Sequence, residues 1–291
     1  MMDRAIFLSL VGVSLVGIFL AARLPAVLLP VAAAEPTPIV VCYPGGAVNE
    51  NEARGAVDAM LRVVERVGRW PEKSFTGFFT AEADECKRLM GEKQPGFAIT
   101  SLGLYLELRA EHHLIPLAQP RINGSNTERI RVVVREGKYK GLADLKGKSL
   151  GGTVLEEPDF VGRIVFAGKI DPASFFVLKP SRQAIRALRA LDKGELDAVI
   201  LSGQQFAALG SLELSNPIEA IFTSEEIPLM GVVADDRTGS AADRARFARA
   251  LEGLCADSEG KKLCRLFGVE SFATVDPIVF EPMIELWEGG K

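Results

Sequence analysis

Ile39-Val40-Val41-Cys42-Tyr43-Pro44-Gly45-Gly46 decides how the rest of the chain is read. The apolar run is a strand, and Pro44-Gly45-Gly46 turns it. Asn49 or Asn51 then stands where a helix cap belongs. Behind them Ala56, Met60, Val63, Val64 and Val67 recur at threes and fours, until Trp70-Pro71 ends the pattern. A strand, a glycine turn and a capped amphipathic helix make one unit of an α/β fold.

The unit repeats along the chain. Phe75 to Phe79 reads as a strand, Ala81 to Met90 as a helix, and Phe97 to Thr100 as a third strand after Gln94-Pro95-Gly96. Ser101 caps a helix to about Ala110, and Leu114 to Ala118 is a fourth strand. The polar tract Arg121 to Thr127, followed by strand-like Ile130 to Val134, is read as a crossing into a second lobe. There the series runs through Ser149 to Leu155, Pro158 to Ala167, Ser174 to Leu178, Ser181 to Leu191, Ala198 to Leu201 and a helix from Ser202. Ser181 is taken as an N-cap, with Ala184, Ile185, Leu188 and Leu191 as the buried stripe and Arg182, Arg186 and Arg189 on a solvated face. Ile218 to Phe222 and Ile227 to Val233 look like the return crossing. The tail, Ala241 to Leu254, Glu259 to Phe267 and Asp276 to Trp287, is read as helical.

The expectation is an α/β protein of two lobes, each a mixed, mostly parallel sheet flanked by helices, joined by two hinge crossings. Residues 35–127 with 224–291 form one lobe, and 128–223 the other.

Ahead of this lies Met1 to Arg4, a short basic start, then apolar Ala5 to Ala22 and Leu24 to Val31, ending in Ala32-Ala33-Ala34. That is the pattern of a signal peptide cut after Ala34. The alternative is an uncleaved inner-membrane anchor, since the apolar run reaches the lower limit of about 17 residues for a span. Both place Glu35 onward in the periplasm. The whole chain carries a formal charge of −4, and without the +1 of Asp3, Arg4 and Arg23 it carries −5, which argues against a nucleic-acid face. In an oxidising compartment Cys255 and Cys264 are close enough in sequence to bridge, whereas Cys42 and Cys86 are read as small core residues.

Catalytic chemistry is missing. The only histidines, His112 and His113, are neighbours that point to different faces of a helix end, so neither a Ser nucleophile nor a zinc ion finds its partners. Gly147-Lys148-Ser149 lacks the upstream glycine of a phosphate loop, position 142 being Leu, and Asn123-Gly124-Ser125 is read as a turn. Glu156-Glu157, Glu225-Glu226 and Asp235-Asp236 are adjacent acids of a kind that usually solvate surfaces. No enzyme, no cofactor and no metal are expected.

Gly141-Leu142-Ala143-Asp144-Leu145-Lys146-Gly147-Lys148-Ser149 resembles the start of the second lobe in the PhnD-like phosphate/phosphite/phosphonate-type periplasmic binding proteins of ABC transporters. Ala187-Leu188 with Gly194-Glu195-Leu196-Asp197-Ala198-Val199 is similar to the same family's helix-and-strand pattern, and Glu226-Ile227-Pro228 and Phe97 to Leu102 fit beside it. The resemblance covers most of residues 39–287. It implies the type 2 periplasmic-binding fold, a small-molecule ligand between the lobes and a membrane permease as partner, the binding protein being a monomer. One place departs from it. Oxyanion-binding members open the first helix of the second lobe with a Ser/Thr-rich segment, where this chain has Leu155-Glu156-Glu157-Pro158-Asp159-Phe160. Acids there occupy the helix-start N–H groups and repel a second anion.

In the implied fold the cleft is touched by strand C-termini and helix N-termini. Those positions are Tyr43, Pro44 and Gly45; Thr100, Ser101 and Tyr105; Glu128; Leu155, Glu156, Glu157 and Phe160; and Ser202, Gln204 and Gln205. Such a lining suits an apolar or neutral ligand with one hydroxyl or amine anchor better than a compact dianion, so a simple phosphonate is not expected. Besides capture for an inner-membrane transporter, two alternatives remain open: a lipid or sterol-like shuttle with a non-ABC partner, and an anchored sensor or scaffold.

Overall fold

The structure, a computed structural model, describes residues 35–45 and 49–289. The expected cleavage after Ala34 and the alternative anchor both lie outside the described residues. Among the described residues no helix is long and apolar enough to cross a membrane.

The opening unit forms as its residues dictate. Ile39, Val40, Val41 and Cys42 are all buried in β1 (Thr37–Cys42), flanked by parallel neighbours β2 (Phe75–Thr80) and β3 (Phe97–Ile99). A strand enclosed on both faces has to be continuously apolar. The Asn49 side chain accepts from the N–H groups of Asn51 and Glu52 at the start of the helix Glu50–Gly68, whose Ala56, Met60, Val63 and Val64 are buried. The chain continues through β4 (Leu114–Arg121), β5 (Thr127–Glu128), β6 (Arg131–Arg135), β7 (Ser149–Gly152), β8 (Val177–Pro180), β9 (Ala198–Leu201), β10 (Ile218–Thr223), β11 (Ile227–Pro228), β12 (Val232–Asp235) and β13 (Ser271–Thr274).

Eleven of these strands form two sheets. The first has the order β13-β4-β12-β3-β1-β2, the second β10-β6-β9-β7-β8. Because β12 lies between β3 and β4, the chain must leave the first sheet, build the second and return. It does so along a single ribbon in which β5 pairs antiparallel with β11, Thr127 opposite Pro228 and Glu128 opposite Ile227. These are the two crossings of a two-lobe α/β fold.

The motif residues of the second lobe are architectural. Gly194, at φ 76°, ends the helix Ala184–Lys193 in the left-handed conformation. The Asp197 carboxylate accepts from the Ser149 backbone N–H at 3.0 Å, the Ser149 hydroxyl at 2.8 Å and the Tyr139 hydroxyl, tying the start of β9 to that of β7. Burial works against ionisation of Asp197, yet these hydrogen bonds hold it below the usual carboxylate range.

Four readings need correction. The helix Ala184–Lys193 takes Gln183 as its N-cap with no side-chain cap bond, while Ser181 builds the preceding turn by donating to the Gln183 carbonyl at 3.0 Å. Pro158 to Ala167 is not one regular helix, because its α-turn Pro158–Phe160 widens to a π-turn over Val161–Val165. The tail contains β13, four residues on the edge of the first sheet, too short to leave a periodic signature. Cys42 and Cys86 are joined by a disulfide, as are Cys255 and Cys264. The first pair lies 44 residues apart in sequence, on β1 and on the helix Ala83–Lys93, and only the packing of that helix against β1 brings them together.

Loop-closure entropy separates the two bridges. Replacing both cysteines of the 44-residue loop by Ala is expected to cost about 4 kcal/mol, and of the 9-residue loop about 2.5 kcal/mol, read from urea unfolding under oxidising conditions.

Candidate functional site

The two lobes face each other across a cavity of about 570 Å³. On the first lobe its rim is the turn after β1. Gly45 has φ +68°, and a Cβ there would sit 2.4 Å from the Thr153 carbonyl oxygen of the opposite lobe, so only glycine lets the two loops meet. Tyr43, before it, is half-exposed, and burial of its hydroxyl together with the nearby Glu128 carboxylate pushes the phenol up.

Helix starts supply the next layer. Ser101 caps the helix Leu102–Leu108, accepting from the Leu104 N–H at 3.2 Å. Its hydroxyl donates at 2.7 Å to Glu157 Oε1 from the second lobe. A Cβ on Gly103 would come within 2.4 Å of that oxygen, so the glycine is what admits the carboxylate to the helix start. Desolvation pushes Glu157 up to about 7, opposed by the hydrogen bonds from Ser101 and the Leu104 N–H. On the second lobe Ser202 caps the helix Gly203–Ala207 in a capping box with Gln205, whose amide also donates to Thr153 Oγ1 at 2.8 Å. Glu128, on the hinge strand β5, accepts the Gly203 N–H at 2.7 Å, and burial raises its carboxyl above the usual range. Each of the two helix starts thus carries a carboxylate of the protein itself.

Eleven of the expected positions line this cavity: Tyr43, Pro44, Gly45, Thr100, Ser101, Glu128, Glu157, Phe160, Ser202, Gln204 and Gln205. Three do not. Tyr105 is buried in a helix of which only Glu107 is exposed, with its ring 5.7 Å from that of Phe280. Leu155 is buried in the core by the 3₁₀ turn Val154–Glu156, which leaves Glu156 partly exposed outside the cavity. Thr153 takes their place, because β7 ends at Gly152 rather than at Leu155. The pair Gly151-Gly152 was the available signal for that earlier end. Arg131 also lines the cleft, its guanidinium 4.4 Å above the Phe206 ring and donating to the Arg129 carbonyl at 3.0 Å.

Sequence reasoning also missed an apolar extension of the cavity into the first lobe, walled by residues such as Met60, Phe79, Leu263 and Phe272. Each reads from sequence as ordinary core. Among the described residues no group of three or more His, Cys, Asp or Glu is placed to hold a metal ion. Neither His112 nor His113 borders the cleft.

Comparison with known proteins matches this geometry. The sequence profile of the family described as the periplasmic substrate-binding protein of phosphonate ABC transporters matches residues 48–278. No curated protein sequence matches the chain. Among solved structures, the binding component of a Pseudomonas aeruginosa ABC phosphonate transporter superposes with a TM-score of 0.66 at 16% identity, covering 87% of each chain. A Prochlorococcus marinus protein in complex with methylphosphonate gives 0.65 at 13% identity, covering 87% of this chain and 98% of its own. A Xanthomonas citri protein bound to ATP gives 0.64 at 15%, covering 87% and 97%. At such identities the superpositions establish the fold, and the profile match establishes the family. This chain belongs to the phosphonate-type periplasmic substrate-binding proteins of ABC transporters.

Proposed function

We propose that the protein captures a small solute between its lobes in the periplasm and hands it to a membrane permease, and that the solute is not a compact phosphonate. In this reading residues 1–34 serve export, and residues 35–127 with 224–291 close against 128–223 about the β5/β11 ribbon. Two disulfides suit an oxidising compartment. The family membership supports capture for an ABC permease, and nothing in the comparisons favours a non-ABC shuttle or a scaffold.

One observation carries the exclusion of phosphonate. A helix start holds an oxyanion through free N–H groups and partial positive charge, and here Glu157 and Glu128 already occupy the starts that border the cleft. A dianion would have to displace them or sit beside two carboxylates, losing the hydrogen bonds it needs and gaining repulsion. The contacts across the cleft support closure as the working motion: Ser101 with Glu157, an ion pair of Glu82 with Arg182, and Gly45 against Thr153.

Isothermal titration at pH 7.5 is expected to give no saturable binding of methylphosphonate or phosphate at millimolar concentration, while native mass spectrometry of protein isolated from the periplasm retains a different small solute. Micromolar binding of methylphosphonate by the unaltered protein contradicts the exclusion.

Glu157 also sets a pH dependence. Its folded pKa of about 7 lies above the ordinary glutamate value of 4.5, so the folded state holds a proton that the unfolded state releases. The resulting stabilisation is complete below the unfolded value and is lost as pH rises through the folded one. Relative to Glu157→Gln, the unaltered protein should lose on the order of 3 kcal/mol between about pH 4.5 and pH 7. Paired denaturant titrations across that window check it, and parallel pH profiles would count against it.

A further inference from the structure

We propose that the solute is a single-chain amphiphile, with an ammonium head held by Glu128 and an unbranched hydrocarbon body in the apolar chamber that extends the cleft into the first lobe. This rests on the capture reading above and names the substrate class for the same site.

The head group follows from the surroundings of Glu128. Glu128 accepts one hydrogen bond, from the Gly203 N–H at 2.7 Å, and among the described residues it has no cationic partner. Burying a carboxylate without a counter-charge is costly, and an ammonium beside it removes that cost. Arg131 does not compete for Glu128, being engaged with the Arg129 carbonyl and the Phe206 ring.

The body follows from the chamber. Met60 on the helix Glu50–Gly68, Phe79 on β2, Leu254, Leu263, Phe267 and Phe272 on β13 all border the cavity. The Cys255–Cys264 disulfide pins the short helix Gly260–Leu266 to the end of the helix Ala241–Leu254, so the wall is held in place covalently. A volume of about 570 Å³ is that of a site for a medium-sized organic molecule, and a compact oxyanion leaves its apolar part unfilled. Hydrocarbon in that part gains about fourfold in affinity per methylene fully removed from water.

The test is calorimetric binding of n-butylammonium, n-octylammonium, n-octanol and n-octylphosphonate to the purified protein at pH 7.5. Octylammonium should bind at least tenfold tighter than butylammonium and at least tenfold tighter than octylphosphonate. Leu263→Trp and Met60→Trp fill the chamber from two different helices, and each should bring octylammonium down to the level of butylammonium. Melting curves identify any variant that fails to fold, and the other then serves. Glu128→Gln should abolish the preference for octylammonium over octanol. Equal affinity for both ammonium chains, or tighter binding of octylphosphonate, overturns the proposal. If butylammonium binds as well as octylammonium and compacts the protein in small-angle scattering, capture stands and the chamber assignment falls. If no probe binds and no solute is retained in native mass spectrometry, the capture reading falls with it.

Discussion

A carboxylate of the protein seated on a helix start of the opposite lobe is the contact on which the organisation of the cleft depends. Glu157, from the second lobe, takes the Ser101 hydroxyl at 2.7 Å at the beginning of the helix Leu102–Leu108. The position is one that suits an external anion, through N–H groups unpaired within the helix and the positive end of its dipole. Filling it from within leaves carboxylates of the protein, with hydrocarbon beyond them, where free helix-start N–H groups would otherwise face the cavity. Gly103 makes this possible, since any side chain there would collide with the Glu157 carboxyl group.

The lobes are joined differently along their contact. Away from the cleft an apolar cluster runs between them, with Leu104 and Tyr105 from one side, Val161 and Ile164 from the other, and Phe280 and Trp287 from the returning tail. Arg163 adds a hydrogen bond to the Trp287 carbonyl at 3.0 Å. Beside the cavity the contacts are polar, and one of them, Ser101 with Glu157, involves a group whose charge changes near neutral pH. Hydrocarbon contacts stay favourable regardless of pH, whereas the contact through Glu157 depends on its protonation state. Opening is therefore expected to start at the polar side and pivot on the β5/β11 ribbon.

Much of this was legible in the residues. The βα alternation, the crossing after Arg121 and the return at Ile227 follow from period, turn residues and the position of polar tracts. Gly194 and Asp197, which carried the family resemblance, prove to be a helix stop and a strand tie, so the motif reported fold rather than ligand. Leu155 and Glu156 were misplaced because β7 ends at Gly152, three residues before Leu155, whereas Tyr105 lies one turn inside a helix whose start at Ser101 was read correctly and faces the core instead of the cleft. The apolar chamber and the Cys42–Cys86 bridge had no sequence signal, because each joins segments brought together only by packing.

The most direct measurement is a carbon-13 NMR titration of the glutamate carboxyls, with Glu157 assigned by its absence from Glu157→Gln. The account predicts one carboxyl titrating near pH 7 that moves higher still in Ser101→Ala, where the hydrogen bond favouring the charged form is gone. Titration of Glu157 in the ordinary glutamate range, indifferent to Ser101, would contradict it.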